Sequence, residues 1–102
     1  MSDTNRLEIG GKIIRIFEDR EVLNITVSVV HEHSVNGHRD LCESFFRILV
    51  NDYKSVLSLR HLQRGDRISV RAHLKLDYAF TSGGNRKERV RIYADDVRLV
   101  DL

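Results

Sequence analysis

The stretch Gly65-Asp66-Arg67-Ile68-Ser69-Val70-Arg71-Ala72-His73-Leu74-Lys75-Leu76 alternates between polar and apolar residues without a slip. Successive side chains of a strand point to opposite faces, so Ile68, Val70, Ala72, Leu74 and Leu76 share one side. Arg67, Ser69, Arg71, His73 and Lys75 share the other. An apolar strand face covers a core, and its reverse meets solvent or a ligand. Here the reverse carries three fixed positive charges and a histidine, with no carboxylate between them. Lys and Arg are also ordinary surface residues, so the neighbouring segments must decide what this face is for.

Working outward from that strand, residues 77–88 read as a long loop or hairpin tip, aromatic at its base (Tyr78, Phe80) and basic at its far side (Arg86, Lys87). Arg89 to Val100 is a last strand with Val90, Ile92 and Ala94 inward and Arg89, Arg91 and Tyr93 outward. On the other side of Gly65, residues 52–62 change period. Val56, Leu57, Leu59 and Leu62 recur at helical spacing, Asn51 or Asp52 can cap the start, and Gly65 stops it. Leu41 to Val50 is a third strand, in which Phe46, Ile48 and Val50 alternate with Phe45, Arg47 and Leu49. His33 to Asp40 is a polar loop containing the hairpin signal Asn36-Gly37. Val22 to His31 is a second strand. Arg6 to Phe17 is a first, in which the parity of apolar positions changes between Leu7/Ile9 and Ile14/Ile16. The Gly10-Gly11 pair between them predicts a bulge or bend there. Three strands, one helix and two strands, with the first strand bent to serve two sides, is the order of an all-β, five-stranded OB-fold barrel with one short helix between strands 3 and 4.

The 102 residues suffice for one domain, an OB-fold over residues 1–102, and not for two. The net charge is only +2, but its distribution is uneven: Arg60, Arg64, Arg67, Arg71, Lys75, Arg86, Lys87, Arg89 and Arg91 face only Asp66, Asp77 and Glu88 across residues 60–91. Cys42 is the single cysteine, which excludes an intrachain disulfide and suits a reducing compartment. The start of the sequence lacks a signal-peptide pattern and no apolar run spans a bilayer, so a soluble, cytoplasmic protein without a membrane partner is expected. The five histidines meet no recognised metal-ligand spacing, neither glycine pair has the residues of a phosphate loop, and no nucleophile-base arrangement stands out. An enzyme is not expected, and neither is a metal or cofactor. A basic face interleaved with aromatics is instead what single-stranded nucleic acid requires, since cations follow the phosphates and bases stack on rings. The stacking candidates are Phe45, Tyr78, Phe80 and Tyr93.

The segments Asn5-Arg6-Leu7, Leu23-Asn24-Ile25-Thr26-Val27, Phe45-Phe46-Arg47-Ile48-Leu49-Val50, residues 62–70 and Tyr93-Ala94-Asp95-Asp96-Val97-Arg98-Leu99 follow one another in a familiar order and spacing. Through them the chain resembles the bacterial single-stranded DNA-binding proteins and their relative, primosomal replication protein N. The resemblance implies that Phe45 takes the place of a base-stacking tryptophan, that His33 sits where a second is usual, and that Ala79, between Tyr78 and Phe80, sits where a third falls. The sequence departs from the pattern in having no tryptophan and in carrying Ala72 for a typical glycine. Thr4-Asn5-Arg6-Leu7, the Gly37-to-Cys42 spacing and a chain that stops at Leu102 without an acidic tail look like the primosomal protein; the aromatic stretch at 77–88 looks like the single-stranded DNA-binding proteins.

The expectation is therefore non-catalytic binding of single-stranded DNA, with RNA as the alternative ligand, in replication, repair or replication restart. The expected contacts are His33, Phe45, Arg47, Arg67, Arg71, His73, Lys75, Tyr78, Phe80, Arg86, Lys87, Arg89, Arg91 and Tyr93. Assembly as a homodimer or homotetramer is expected, with replication or primosome proteins as further partners. The competing expectation is an OB-fold adaptor whose main partner is another replication protein.

Overall fold

In the computed structural model, which describes residues 3–100, the alternating segments form β1 (Leu7–Asp19), β2 (Val22–Val35), β3 (His38–Val50), β4 (Arg67–Phe80) and β5 (Arg86–Leu99), with α1 (Tyr53–Ser58) between β3 and β4. The sheet closes on itself in the order β1-β2-β3-β5-β4, and this is the expected OB-fold barrel. All neighbours are antiparallel except β3 and β5. Closure depends on β1 serving two partners: Leu7–Lys12 pair with β4, and Lys12–Asp19 pair with β2.

Ile13, Ile25, Val27, Ile48, Val56 and Val70 have no solvent exposure, and Ile68, Ala72 and Leu62 close the core around them. Val56 is the one fully buried residue of α1, so the helix acts as a plug. Its start is capped as the sequence predicts, the Asp52 carboxylate accepting from the Ser55 N–H at 3.3 Å and the Ser55 hydroxyl at 2.8 Å. The helix ends at Ser58 rather than Leu62. The Leu59 N–H bonds to both the Ser55 and Val56 carbonyls, which tightens the last turn, and a further turn from Leu59 to Leu62 carries Leu62 into the core.

Other expectations are corrected as well. The parity change in β1 falls not at Gly10-Gly11 but at Ile14, where the register with β2 slips between Ile13 and Arg15. Gly11 is needed for a different reason: a Cβ there would stand 2.4 Å from the Ser28 carbonyl oxygen, so the glycine permits β1 to cross β2 closely. The expected loop at 33–40 is hydrogen-bonded ribbon as far as Val35 and from His38. Asn36 and Gly37 form its whole turn with φ of 51° and 81°, the mirror-image geometry that matches strand twist. Likewise the segment 77–88 is ribbon up to the pair Phe80–Arg86, with a tip held by the Thr81 N–H donating to the Asn85 carbonyl at 2.8 Å. Two long ribbons therefore leave the barrel, and Leu74 and Leu76, expected in the core, are 40% and 48% exposed on one of them. Phe46, on the inward side of β3 opposite Val27, sits at the barrel mouth, 36% exposed.

Candidate nucleic-acid interface

Cross-strand register assembles two rows on the outside of the barrel, because directly paired residues share a face. In the first, Arg15 lies opposite Thr26, Thr26 opposite Arg47, and Arg91 opposite Lys75. The parallel pairing of Ile48 with Ile92 and of Leu49 with Tyr93 brings Arg47 and Arg91 into one groove. The second row runs Phe17, Asn24, Leu49, Tyr93, His73. Cations of the first row lean over rings of the second: Arg15 and Arg47 lie 4.7 Å and 5.5 Å from the Phe17 ring centre, and the Lys75 ammonium 5.6 Å from that of Tyr93. Such contacts hold guanidinium and ammonium groups over rings without neutralising them.

Phe45 stands on the same outer surface, 59% exposed and opposite Ser28. It borders a groove of about 310 Å³ with Arg47, Leu49, Arg89 and Arg91. Ser28 in turn donates to Glu43 at 2.5 Å, which ties down the strand beneath the ring. Arg89 and Lys87 continue the outer face along the ribbon, opposite Asp77 and Ala79.

The structure separates other residues that the sequence groups together. Arg71 is ion-paired to Asp96 at 3.4 Å, and Arg98 holds the same carboxylate at 2.8 Å. The hydrogen bond from Arg98, then the nearby charges of Arg98 and Arg71, hold the Asp96 carboxyl below the usual carboxylate range. His73 is bonded through Nδ1 to Asp95 at 2.9 Å and stacks near Tyr93, with 6.0 Å between ring centres. The lower half of the β4 face is thus charge-balanced by β5, whereas the reading of β4 by itself finds no carboxylate. Arg67 lies at that end too, opposite Lys12 of β1. Because the Asp96 carboxyl is lowered, the clamp on Arg71 is intact at and above the ordinary carboxylate range and is released only as acid carries the pH through that lowered value. An NMR titration of the Asp96 side chain should show this, and an unshifted midpoint would refute the clamp.

Tyr78 and Phe80 share a face with Leu74, Leu76 and Val90, not with Lys75 and Lys87. Arg86 is on their side, its guanidinium 4.5 Å from the Tyr78 ring centre. His33 lies far out on the β2–β3 ribbon opposite Asp40, away from both rows. Among the residues singled out from sequence, Arg47, Arg67, Lys75, Arg86, Lys87 and Arg89 have no ion-pair partner among the described residues. Arg91 pairs with Asp77 at 3.2 Å. Arg15 and Phe17 belong to the two rows and are absent from the sequence-derived set. The signal was present, since Ile14 and Ile16 read as inward and so place Arg15 and Phe17 outward.

Among the described residues no three potential ligands are grouped to hold a metal ion, and no helix is long and apolar enough to cross a membrane. No protein-family model matches the sequence and no curated protein matches it. Solved structures do resemble the fold. The single-stranded DNA-binding protein of Plasmodium falciparum, solved in complex with single-stranded DNA, superposes with a TM-score of 0.78 at 17% identity, covering 99% of this chain and 98% of that one. The mitochondrial single-stranded DNA-binding protein of S. cerevisiae gives 0.64 at 16% identity, covering 97% of each. A deletion mutant of the single-stranded DNA-binding protein from Thermus aquaticus gives 0.81 at 13% identity, covering 96% of this chain and 51% of that one. The chain therefore has the OB-fold in the form found in the structures of single-stranded DNA-binding proteins.

Proposed function

We propose that the protein binds single-stranded DNA without catalysis, the strand running over the outer face of the barrel. The observation that carries this reading is the pair of rows, Arg15, Arg47, Arg91 and Lys75 level with one another, and Phe17, Leu49 and Tyr93 beside them. A basic track adjoining a ring track is what a sequence-tolerant single strand needs, since phosphates and bases lie on opposite edges of the ligand. The single strand bound by the Plasmodium falciparum protein of the same fold supports it. Such a module serves replication, repair or replication restart by covering exposed strands.

Neutralising about four or five phosphates with Arg15, Arg47, Lys75, Arg89 and Arg91 gives a slope of log affinity against log salt of about −3, at ~0.7 per phosphate. Fluorescence anisotropy of a labelled oligonucleotide across a salt series measures it. A flat response would overturn the proposal.

A protein contact is favoured by a separate observation on the reverse of the β4–β5 ribbon. Leu74, Leu76, Tyr78, Phe80 and Val90 form an apolar strip there, with Phe80 75% exposed. Exposed strips of this kind mark contact sites, and a second copy of the chain is the partner that needs no other component. Light scattering at micromolar concentration should then return a dimer or tetramer, and a monomer would remove this reading.

A further inference from the structure

On the outer face of the β4–β5 ribbon, cross-strand register sets Lys75 opposite Arg91, Asp77 opposite Arg89 and Ala79 opposite Lys87. Asp77 is the one carboxylate on that stretch of the face. Like charges set directly opposite each other repel, and the Lys75–Arg91 pair is of that kind. Asp77 lies one pair further along, and its Oδ2 stands 3.2 Å from the Arg91 Nε. Its other oxygen accepts from the Tyr78 N–H at 2.8 Å, which holds the carboxylate in place. The ion pair is imperfect. The Arg91 Nε is buried and makes no hydrogen bond, so the carboxylate lies close to it but out of line. Both side chains remain partly open to solvent, and Arg91 also borders the groove beside Phe45, Arg47 and Arg89. One guanidinium thus belongs both to the basic row and to a carboxylate, whereas Arg47, Lys75 and Arg89 have no ion-pair partner among the described residues.

Resting on the single-strand reading, we infer that Asp77 is a built-in competitor of the bound strand: in the free protein its carboxylate occupies Arg91 in place of a backbone phosphate, and the strand must displace it. Carboxylate and phosphate oxygens are the same kind of acceptor for a guanidinium, so the two compete for one partner. Ion pairs open to solvent are weak, and this one lacks the aligned hydrogen bond that would strengthen it. A phosphate can therefore displace Asp77, and binding is weaker by the work of doing so. Asp77 acts on binding through Arg91 in this way, and it sets which cations of the row are free to neutralise phosphate. With Arg91 occupied, Arg15, Arg47, Lys75 and Arg89 remain; with the charge of Asp77 removed, Arg91 joins them.

The test measures anisotropy of a labelled all-dT oligonucleotide across a salt series for the wild type, Asp77→Asn, Arg91→Gln and the double variant. Asparagine keeps an oxygen for the Tyr78 N–H and removes only the charge. Asp77→Asn should bind about 1.5- to 5-fold more tightly at low salt, the span of a weak ion pair. Its slope of log affinity against log salt should steepen by ~0.7, the contribution of one further phosphate. Arg91→Gln should bind more weakly, and adding Asp77→Asn to it should bring almost no gain, because a coupling through one contact vanishes with its partner. Unchanged binding by Asp77→Asn would overturn the inference and leave Asp77 only as a neighbour that offsets the charges of Lys75 and Arg91. Weaker binding would overturn it too, by making the carboxylate a support for Arg91. A gain of the same size without Arg91 would also overturn it, since Asp77 would then repel the strand at large. Each of these results leaves the single-strand reading standing, whereas no binding by the wild type would overturn both.

Discussion

Gly11→Ala should cost the barrel ~1–3 kcal/mol or more, the range for overpacking a filled site, and lower the melting temperature by roughly ten degrees or more. The added Cβ would stand 2.4 Å from the Ser28 carbonyl oxygen and 3.2 Å from a Val29 methyl, so a backbone atom of β2 must move, not just a side-chain tip. That movement falls where β1 passes from β4 to β2, so it is felt on both seams. Gly10→Ala is the matched comparison. Its Cβ would meet only the Ile68 carbonyl oxygen at 3.9 Å, an ordinary contact, and the change should be nearly neutral. Thermal unfolding of the two variants decides the matter. Equal melting temperatures would show that the close crossing at Gly11 does not constrain the fold.

Phe45→Ala should weaken binding of an oligonucleotide roughly five- to a hundred-fold, as stacking of one base is worth ~1–3 kcal/mol. Its ring is 59% exposed on the outer face, and exposed substitutions usually change stability by under ~0.5 kcal/mol, so the melting temperature should hardly move. Anisotropy and thermal unfolding on the same variant separate the two effects. A lower melting temperature with unchanged affinity would remove Phe45 from the interface. Phe80→Ala completes the experiment, because Phe80 sits on the opposite face of the β4–β5 ribbon. A loss confined to Phe45 keeps the strand on the outer face, whereas a comparable loss at Phe80 carries it around the ribbon.

Much of this architecture is legible in the sequence because its signals are local. The alternation in 65–76 names a strand and, as far as Ala72, its inner face, Asn51 or Asp52 names a helix start, and Asn36-Gly37 names a turn. The length of the ribbons is not legible, since beyond the barrel the strands cover no core and residues such as His33, Ser34, Arg39 and Asp40 carry no burial pattern. The bulge in β1 is misplaced by sequence because glycine is the residue that permits bulges, while the structure makes one at an isoleucine. The partial neutralisation of the β4 face is hidden for another reason. Asp95 and Asp96 reach His73 and Arg71 through a register that slips between Arg71 and Ala72, and no reading of either strand alone contains that slip.

The division of β1 between two partners also bears on how the molecule forms. The β2–β3 and β4–β5 pairs join neighbours in sequence, each across a short turn, and hairpins of that kind form in roughly 1–10 μs. The seam between Leu7–Lys12 and Arg67–Ala72 joins segments far apart in the sequence, on either side of β2, β3 and α1. Contacts so distant in sequence yield no return until the loop between them has closed, which makes them slow. Folding kinetics should therefore be governed by that seam. Substitutions that weaken it would act on the refolding rate to the extent that it is formed in the transition state, and those at the ribbon tips would act mainly on unfolding.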